Sequence, residues 1–181
     1  PLSSFREDGY SKEIKTLRTD VSVMDRALLA VVLSQYRLKL FQDRRLNIKP
    51  VVLFKAASVK DSQAFQRDFI HTVERLDGAE LERLSQLTAS PVLGRAFRYF
   101  QQQGISLDQL ALELREDFGR QRCISANDDS EAALRQLVLN TLESPDNPYR
   151  AVFEVRKLDE GWDVLNLFDI VRHYETRQSG G

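Results

Sequence analysis

Hydrophobic positions in this chain follow two rhythms that take turns along it. In residues 24–42 the set Leu29, Val32, Leu33, Tyr36 and Leu40 recurs at i, i+3, i+4, i+7 and i+11, one apolar stripe of an α-helix that ends before the charged turn Asp43-Arg44-Arg45. Pro50-Val51-Val52-Leu53-Phe54 breaks that period. A continuous apolar run after a proline reads as a buried strand, with Lys55-Ala56-Ala57-Ser58 leaving its carboxyl end. The helical period returns with Phe65, Phe69, Val73 and Leu76, on a helix that Ser58 or Asp61 caps.

Residues 78–119 contain no strand-like run. Three apolar groups mark three consecutive helices: Leu81, Leu84 and Leu87; Leu93, Ala96, Phe97 and Phe100; Leu107, Leu110, Ala111, Leu114 and Phe118. The third opens on Ser106 with Gln109 three positions on and stops at Gly119. If these helices form a bundle of their own, residues 78–120 are an all-helical insertion that can be removed without loss of the rest. Strand and helix then alternate again. A short strand at 122–125 is followed by a helix capped by Asp129 or Ser130, with Leu134, Leu137, Val138 and Leu142 inward. A turn at 144–148 leads into a strand at 151–155, a charged loop, and a strand at 167–171. Strands joined through helices run parallel, with right-handed crossovers. The expected class is α/β, a parallel sheet flanked by helices across residues 21–181. Residues 1–20 read as a linker or edge segment docked by Ile14 and Leu17.

Composition narrows the choice of partners. A chain of 181 residues is one domain with a helical addition, long enough to bury roughly 70% of its unfolded surface. Lys plus Arg number 26 against 27 Asp plus Glu, a formal charge of −1, so the field of the whole molecule does not select a polyanion. Any nucleic-acid contact has to come from a local patch. The single cysteine, Cys123, excludes an internal disulfide framework and suits a reducing compartment; it reads as a small buried hydrophobe at least as well as a reactive thiol. No apolar run approaches the ~20 residues of a membrane span, and the polar start is no signal peptide. A soluble, cytoplasmic protein with no membrane partner is expected. The chain opens on Pro1, closes on Gly180-Gly181, and holds neither a Gly-x-x-x-x-Gly-Lys-Ser/Thr loop nor an Asp-Glu-x-His run. It reads as a piece of a longer protein.

Two loops leave strand ends, where ligands of open α/β sheets bind. In the first, Lys55 and Ser58 bring a cation and a hydroxyl to the start of a helix, which suits either a phosphate site or a helix cap beside a solvated lysine. In the second, Arg156 and Lys157 face Asp159, Glu160 and Asp163 across Gly161 and Trp162, which suits a ligand loop or a self-compensating ion-pair turn. His71 and His173 lack the spacing of zinc ligands, so no metal site is expected. Asp146 with Glu154-Val155-Arg156 is a faint likeness to an Asp and Glu-x-Lys nuclease core, with its Lys replaced.

Residues 157–164, Lys-Leu-Asp-Glu-Gly-Trp-Asp-Val, and 166–171, Asn-Leu-Phe-Asp-Ile-Val, with Asn147-Pro148-Tyr149-Arg150 upstream, carry a specific resemblance. The segment resembles the second motor lobe of superfamily 2 helicases, in particular the restriction subunit of type III restriction enzymes. The resemblance extends more loosely back to Lys49. It implies a RecA-like lobe of an ATP-dependent DNA translocase. ATP and Mg2+ would be held mainly by a first RecA-like lobe of the same polypeptide, double-stranded DNA backbone would be the track, and a methyltransferase subunit would be a further partner. By the same resemblance Lys55, Ser58, Arg156 and Lys157 would touch nucleic-acid phosphate. Glu160, Gly161 and Asp163 would approach the nucleotide, Asp163 near the ribose. Many related motors carry a Thr near the loop start where this chain has Val155-Arg156, which leaves the phosphate-contacting residue open. No catalytic residue is implied within these residues. The competing reading is a non-enzymatic α/β module whose helical insertion binds a protein; a phosphate loop upstream in the gene would decide for the motor.

Overall fold

The computed structural model describes residues 21–126, 140–155 and 167–172, and of residues 167–170 and 172 the backbone alone. Helix α1 (Val23–Asp43) precedes strand β1 (Val51–Ala56) and helix α2 (Val59–Val73). Three helices follow, α3 (Gly78–Gln86), α4 (Pro91–Gln102) and α5 (Leu107–Asp117). A 3-10 turn at Arg120–Arg122 leads into β2 (Cys123–Ser125), and β3 (Ala151–Val155) and β4 (Leu167–Arg172) complete the described elements. The sheet is parallel throughout, in the order β2-β3-β1-β4. This is the α/β, RecA-like plan expected from the chain, with an all-helical stretch between α2 and β2. The helix expected around Leu134 and Leu137 falls largely outside the described residues, as does the segment before Val21.

Alternation along the strands divides the core between the two sheet faces. Val52, Phe54, Ala151 and Phe153 face α1 and α2, while Val51, Leu53 and Val152 face the opposite side, where Leu142, Ile124 and Tyr149 pack. Register pairs Phe54 with Phe153, and their rings stack at 5.0 Å. Phe65 and Phe69 of α2 close over them, with Phe69 at 4.9 Å from Phe54 and 5.4 Å from Phe153. An offset aromatic cluster of this kind holds α2 on the sheet beyond the area it buries.

Helix α1 departs from the single stripe expected of it. Every residue from Ala27 to Arg37 is buried. The helix lies between the sheet, where it packs on β1 and β4, and the helical block, where it packs on α3, α4 and α5. A helix apolar on all sides belongs inside a core, and the unbroken run Ala27-Leu28-Leu29-Ala30-Val31-Val32-Leu33 supplies that surface. The three following helices therefore do not close on a core of their own. Leu93, Ala96, Phe100, Leu110, Leu114 and Phe118 join one cluster with Leu28 and Val32, and Tyr36 meets Tyr99 edge-on at 5.3 Å. Polar ties reinforce each contact: Arg83 of α3 pairs with Asp25 at 2.7 Å, Tyr99 of α4 donates to Asp43 at 2.7 Å, and Gln35 donates to Glu113 and Asp117 of α5 at 3.1 and 2.9 Å.

Helix ends follow local chemistry. Ser106 and Gln109 form the expected reciprocal capping box, at 3.2 and 3.0 Å. Gly119 works differently from the left-handed stop its position suggested. Its φ is −68°, and a Cβ there would lie 2.6 Å from the Arg115 carbonyl oxygen, so close backbone approach is what requires glycine. Cys123 is buried, with its thiol donating to the Phe118 carbonyl at 3.4 Å. Burial, with Glu74 nearby, pushes its pKa up to about 12, so it is the inert hydrophobe of the two readings.

Candidate functional site

A parallel sheet brings the carboxyl ends of all its strands to one edge, and here that edge carries charge. β1 runs one turn of the pleat further than its apolar residues, because Lys55 and Ala56 still pair with Glu154 and Val155 of β3. Lys55 also lies opposite Arg172 of β4. Lys55 is thus a strand residue, not the loop residue expected, and only 5% of its surface is exposed. Its ammonium stands 3.9 Å from Glu154 Oε1. Both belong to the sheet face that carries Leu53 and Val152, opposite α1 and α2, by simple alternation. Ser58, the other member of the expected phosphate loop, is the N-cap of α2 and accepts from the Asp61 amide at 3.1 Å. The cap reading of Ser58 is what this geometry shows.

Glu154 is fully buried, and neither carboxylate oxygen has a hydrogen-bond partner among the described residues. Burial raises its pKa from 4.5 to about 7, with the Lys55 charge opposing that rise. An ion pair at 3.9 Å without hydrogen bonds does not offset desolvation of the carboxylate. The signal in the sequence was one charge in each of two otherwise apolar runs, Phe54-Lys55-Ala56 and Phe153-Glu154-Val155, and only the fold pairs them. Reading Glu154 only as a nuclease residue missed it. Asp146, the supposed companion, sits in the turn that enters β3, whereas Glu154 sits at the exit.

A pH prediction follows from Glu154. A carboxyl whose pKa is higher in the folded than in the unfolded chain binds its proton more tightly when folded, so stability falls as pH rises from about 4.5 to about 7. The loss amounts to at most about 3 kcal/mol for a shift of that size. Glu154→Gln should flatten this window. Denaturant midpoints measured from pH 4 to 8 check it, and an equally steep profile in the variant would show that another group titrates there.

Arg156, Lys157, Glu160, Gly161 and Asp163, the remaining expected site residues, lie outside the described residues. They connect β3 to β4, which flank β1, so this connection starts beside Glu154 and Lys55. His71 is exposed on α2 with the Arg75 guanidinium 2.9 Å from its Nδ1, and no group of three metal-ligating side chains occurs among the described residues. Among the same residues no helix is long and apolar enough to cross a membrane.

Comparison with known proteins adds what geometry cannot. The chain is 30% identical, over an alignment of 200 residues that takes in 99% of it, to a probable type III restriction-modification enzyme HindVIP Res subunit of Haemophilus influenzae. The chain is related to a type III restriction subunit. It spans 39% of that relative's length. No family model and no solved structure matches the chain. The likeness to a type III restriction subunit takes in nearly the whole chain, helical block included, and not the motif loop alone.

Proposed function

We propose that this chain is the second motor lobe of an ATP-dependent DNA translocase of a type III restriction system. Similarity to a Res subunit over 99% of the chain carries the reading. The parallel sheet supports it, since all its loops leave one edge, where a nucleotide and a track can meet. In this reading the lobe supplies one wall of an ATP cleft. ATP and Mg2+ are bound mainly by a first RecA-like lobe of the same polypeptide, in keeping with the lack of a phosphate loop in this sequence. Double-stranded DNA backbone is the track and a modification methyltransferase subunit a partner. Arg156 and Lys157 touch phosphate, and Glu160, Gly161 and Asp163 face the nucleotide. Lys55, held in the sheet by Glu154, supports the track from below rather than forming an open cradle with Ser58.

Two substitutions in the intact protein test this division. Lys157→Ala should weaken binding to all DNA sequences alike and lower the log-log salt slope by about one, because one phosphate contact releases about one counterion. Asp163→Ala should reduce ATP turnover at least tenfold, a loss of about 1.4 kcal/mol or more in transition-state stabilisation, while leaving nucleotide-free DNA binding intact. Anisotropy titrations at several salt concentrations and a phosphate-release assay measure both. Unchanged turnover in folded Asp163→Ala, together with an unchanged slope in Lys157→Ala, would remove the motor reading.

A further inference from the structure

A cationic surface lies away from the buried Lys55–Glu154 pair, on the side of the edge strand β2. Gln63, Gln66, Arg67 and Ile70 stand at i, i+3, i+4 and i+7 of α2, a single stripe along one helix face. Together with Arg120 of the 3-10 turn and Ser125 at the exit of β2 they line a groove of about 400 Å³. Among the described residues two guanidiniums, two amides and a hydroxyl form its polar lining, Ile70 its apolar floor, and no carboxylate is among its walls. The acids nearest along α2, Asp68 and Glu74, are not among the lining residues. Arg67 and Arg120 are exposed, and neither side chain makes an ion pair or hydrogen bond with any described residue.

We propose that this groove is a phosphate-backbone site for nucleic acid, distinct from the loops that follow β1 and β3. Its chemistry is that of backbone contacts. Guanidinium forks match phosphate oxygens, while amide and hydroxyl groups donate to phosphate and sugar without reading sequence. In a protein of formal charge −1 a track needs local positive surface, and the Arg67 and Arg120 guanidiniums provide it. Ser125 places the groove at a strand exit, on the same sheet edge as the loops already described. The site rests on the DNA-motor reading and extends its track across α2.

The test uses the intact protein with a labelled mixed-sequence DNA duplex and the corresponding single strand, titrated by anisotropy at several salt concentrations. Arg67→Ala and Arg120→Ala should each lower the salt slope by about one, and the double variant by about two, alike for every sequence. Arg67→Lys keeps the charge and should keep the slope. Arg95→Ala removes an exposed cation on α4 and should change nothing. Because the Arg67 and Arg120 side chains hold no structural partner among the described residues, the thermal midpoint should stay that of the parent. If the parent binds DNA and the folded double variant keeps its full slope, the groove proposal is overturned while the motor reading stands. If the double variant loses binding of labelled polyglutamate but not of DNA, the groove serves an acidic protein and the proposal is again overturned. A parent that binds no DNA overturns both readings.

Discussion

Arg150→Ala is expected to destabilise the fold by about 3–5 kcal/mol, the range seen when one member of a buried charged network is removed. Arg150 sits at the entry of β3, 4% exposed, and joins elements far apart in the chain. Its Nε donates to the Pro50 carbonyl at 2.9 Å, its Nη1 to Gln35 Oε1 at 3.2 Å and its Nη2 to Ser34 Oγ at 3.1 Å. Asp117 at the end of α5 lies 3.6 Å away, and the guanidinium stacks 4.4 Å over the Phe118 ring. Burial lowers its pKa to about 10, with Asp117 opposing the shift, so it remains cationic at neutral pH. Alanine would leave the Pro50 carbonyl without this donor, strip Gln35 and Ser34 of a partner inside the core, and open a cavity beside Phe118. Lysine cannot restore the fork and should recover little. Methionine keeps the stem's packing without a buried charge and should lose less than alanine. Urea unfolding of the three variants measures this, and a loss below about 1 kcal/mol for alanine would mean that the network contributes little net stability.

Deleting residues 78–120 with a short Gly-Ser bridge from Asp77 to Gln121 should abolish cooperative unfolding. The helical block is one side of the compartment that holds α1. Its Leu93, Ala96, Phe100, Leu110, Leu114 and Phe118 have no exposed surface beyond 0%. Burying a Leu or Phe side chain contributes about 1.5–3 kcal/mol, so the combined loss from the five Leu and Phe residues is as large as the roughly 5–15 kcal/mol by which a domain is stable. The deletion also turns a buried face of α1 to water and removes Asp117 and Phe118 from around Arg150. Calorimetry and near-ultraviolet circular dichroism check the outcome. A sharp transition retained in the deleted protein would show that the βα core stands without these helices.

Repeating local patterns made much of this fold legible. Helices α2 to α5, strands β1 to β3 and the parallel class follow from spacing, because side-chain period is a property of each segment alone. The capping box at Ser106 and Gln109 is equally local. The candidate site was only partly legible. Charge at the carboxyl ends of strands was evident, but Lys55 was expected in a loop because its own residue type favours water. Its place in β1 is imposed by pairing with Glu154, which is 99 positions away in the chain.

By itself the sequence determined the elements, their order, the α/β class and the motif loop that resembles a type III restriction subunit. Tertiary structure decided which surfaces meet. The run from Ala27 to Leu33 is apolar on every side, yet only the fold shows that α3, α4 and α5 cover the side away from the sheet, making the block part of the core. Only the fold gathers Arg150 with Ser34, Gln35 and Asp117, and Arg67 with Arg120 and Ser125. The physical reason is one of range. Period, capping and turn chemistry act over three or four residues, whereas burial and charge pairing act through space between segments whose separation along the chain carries no record of their contact.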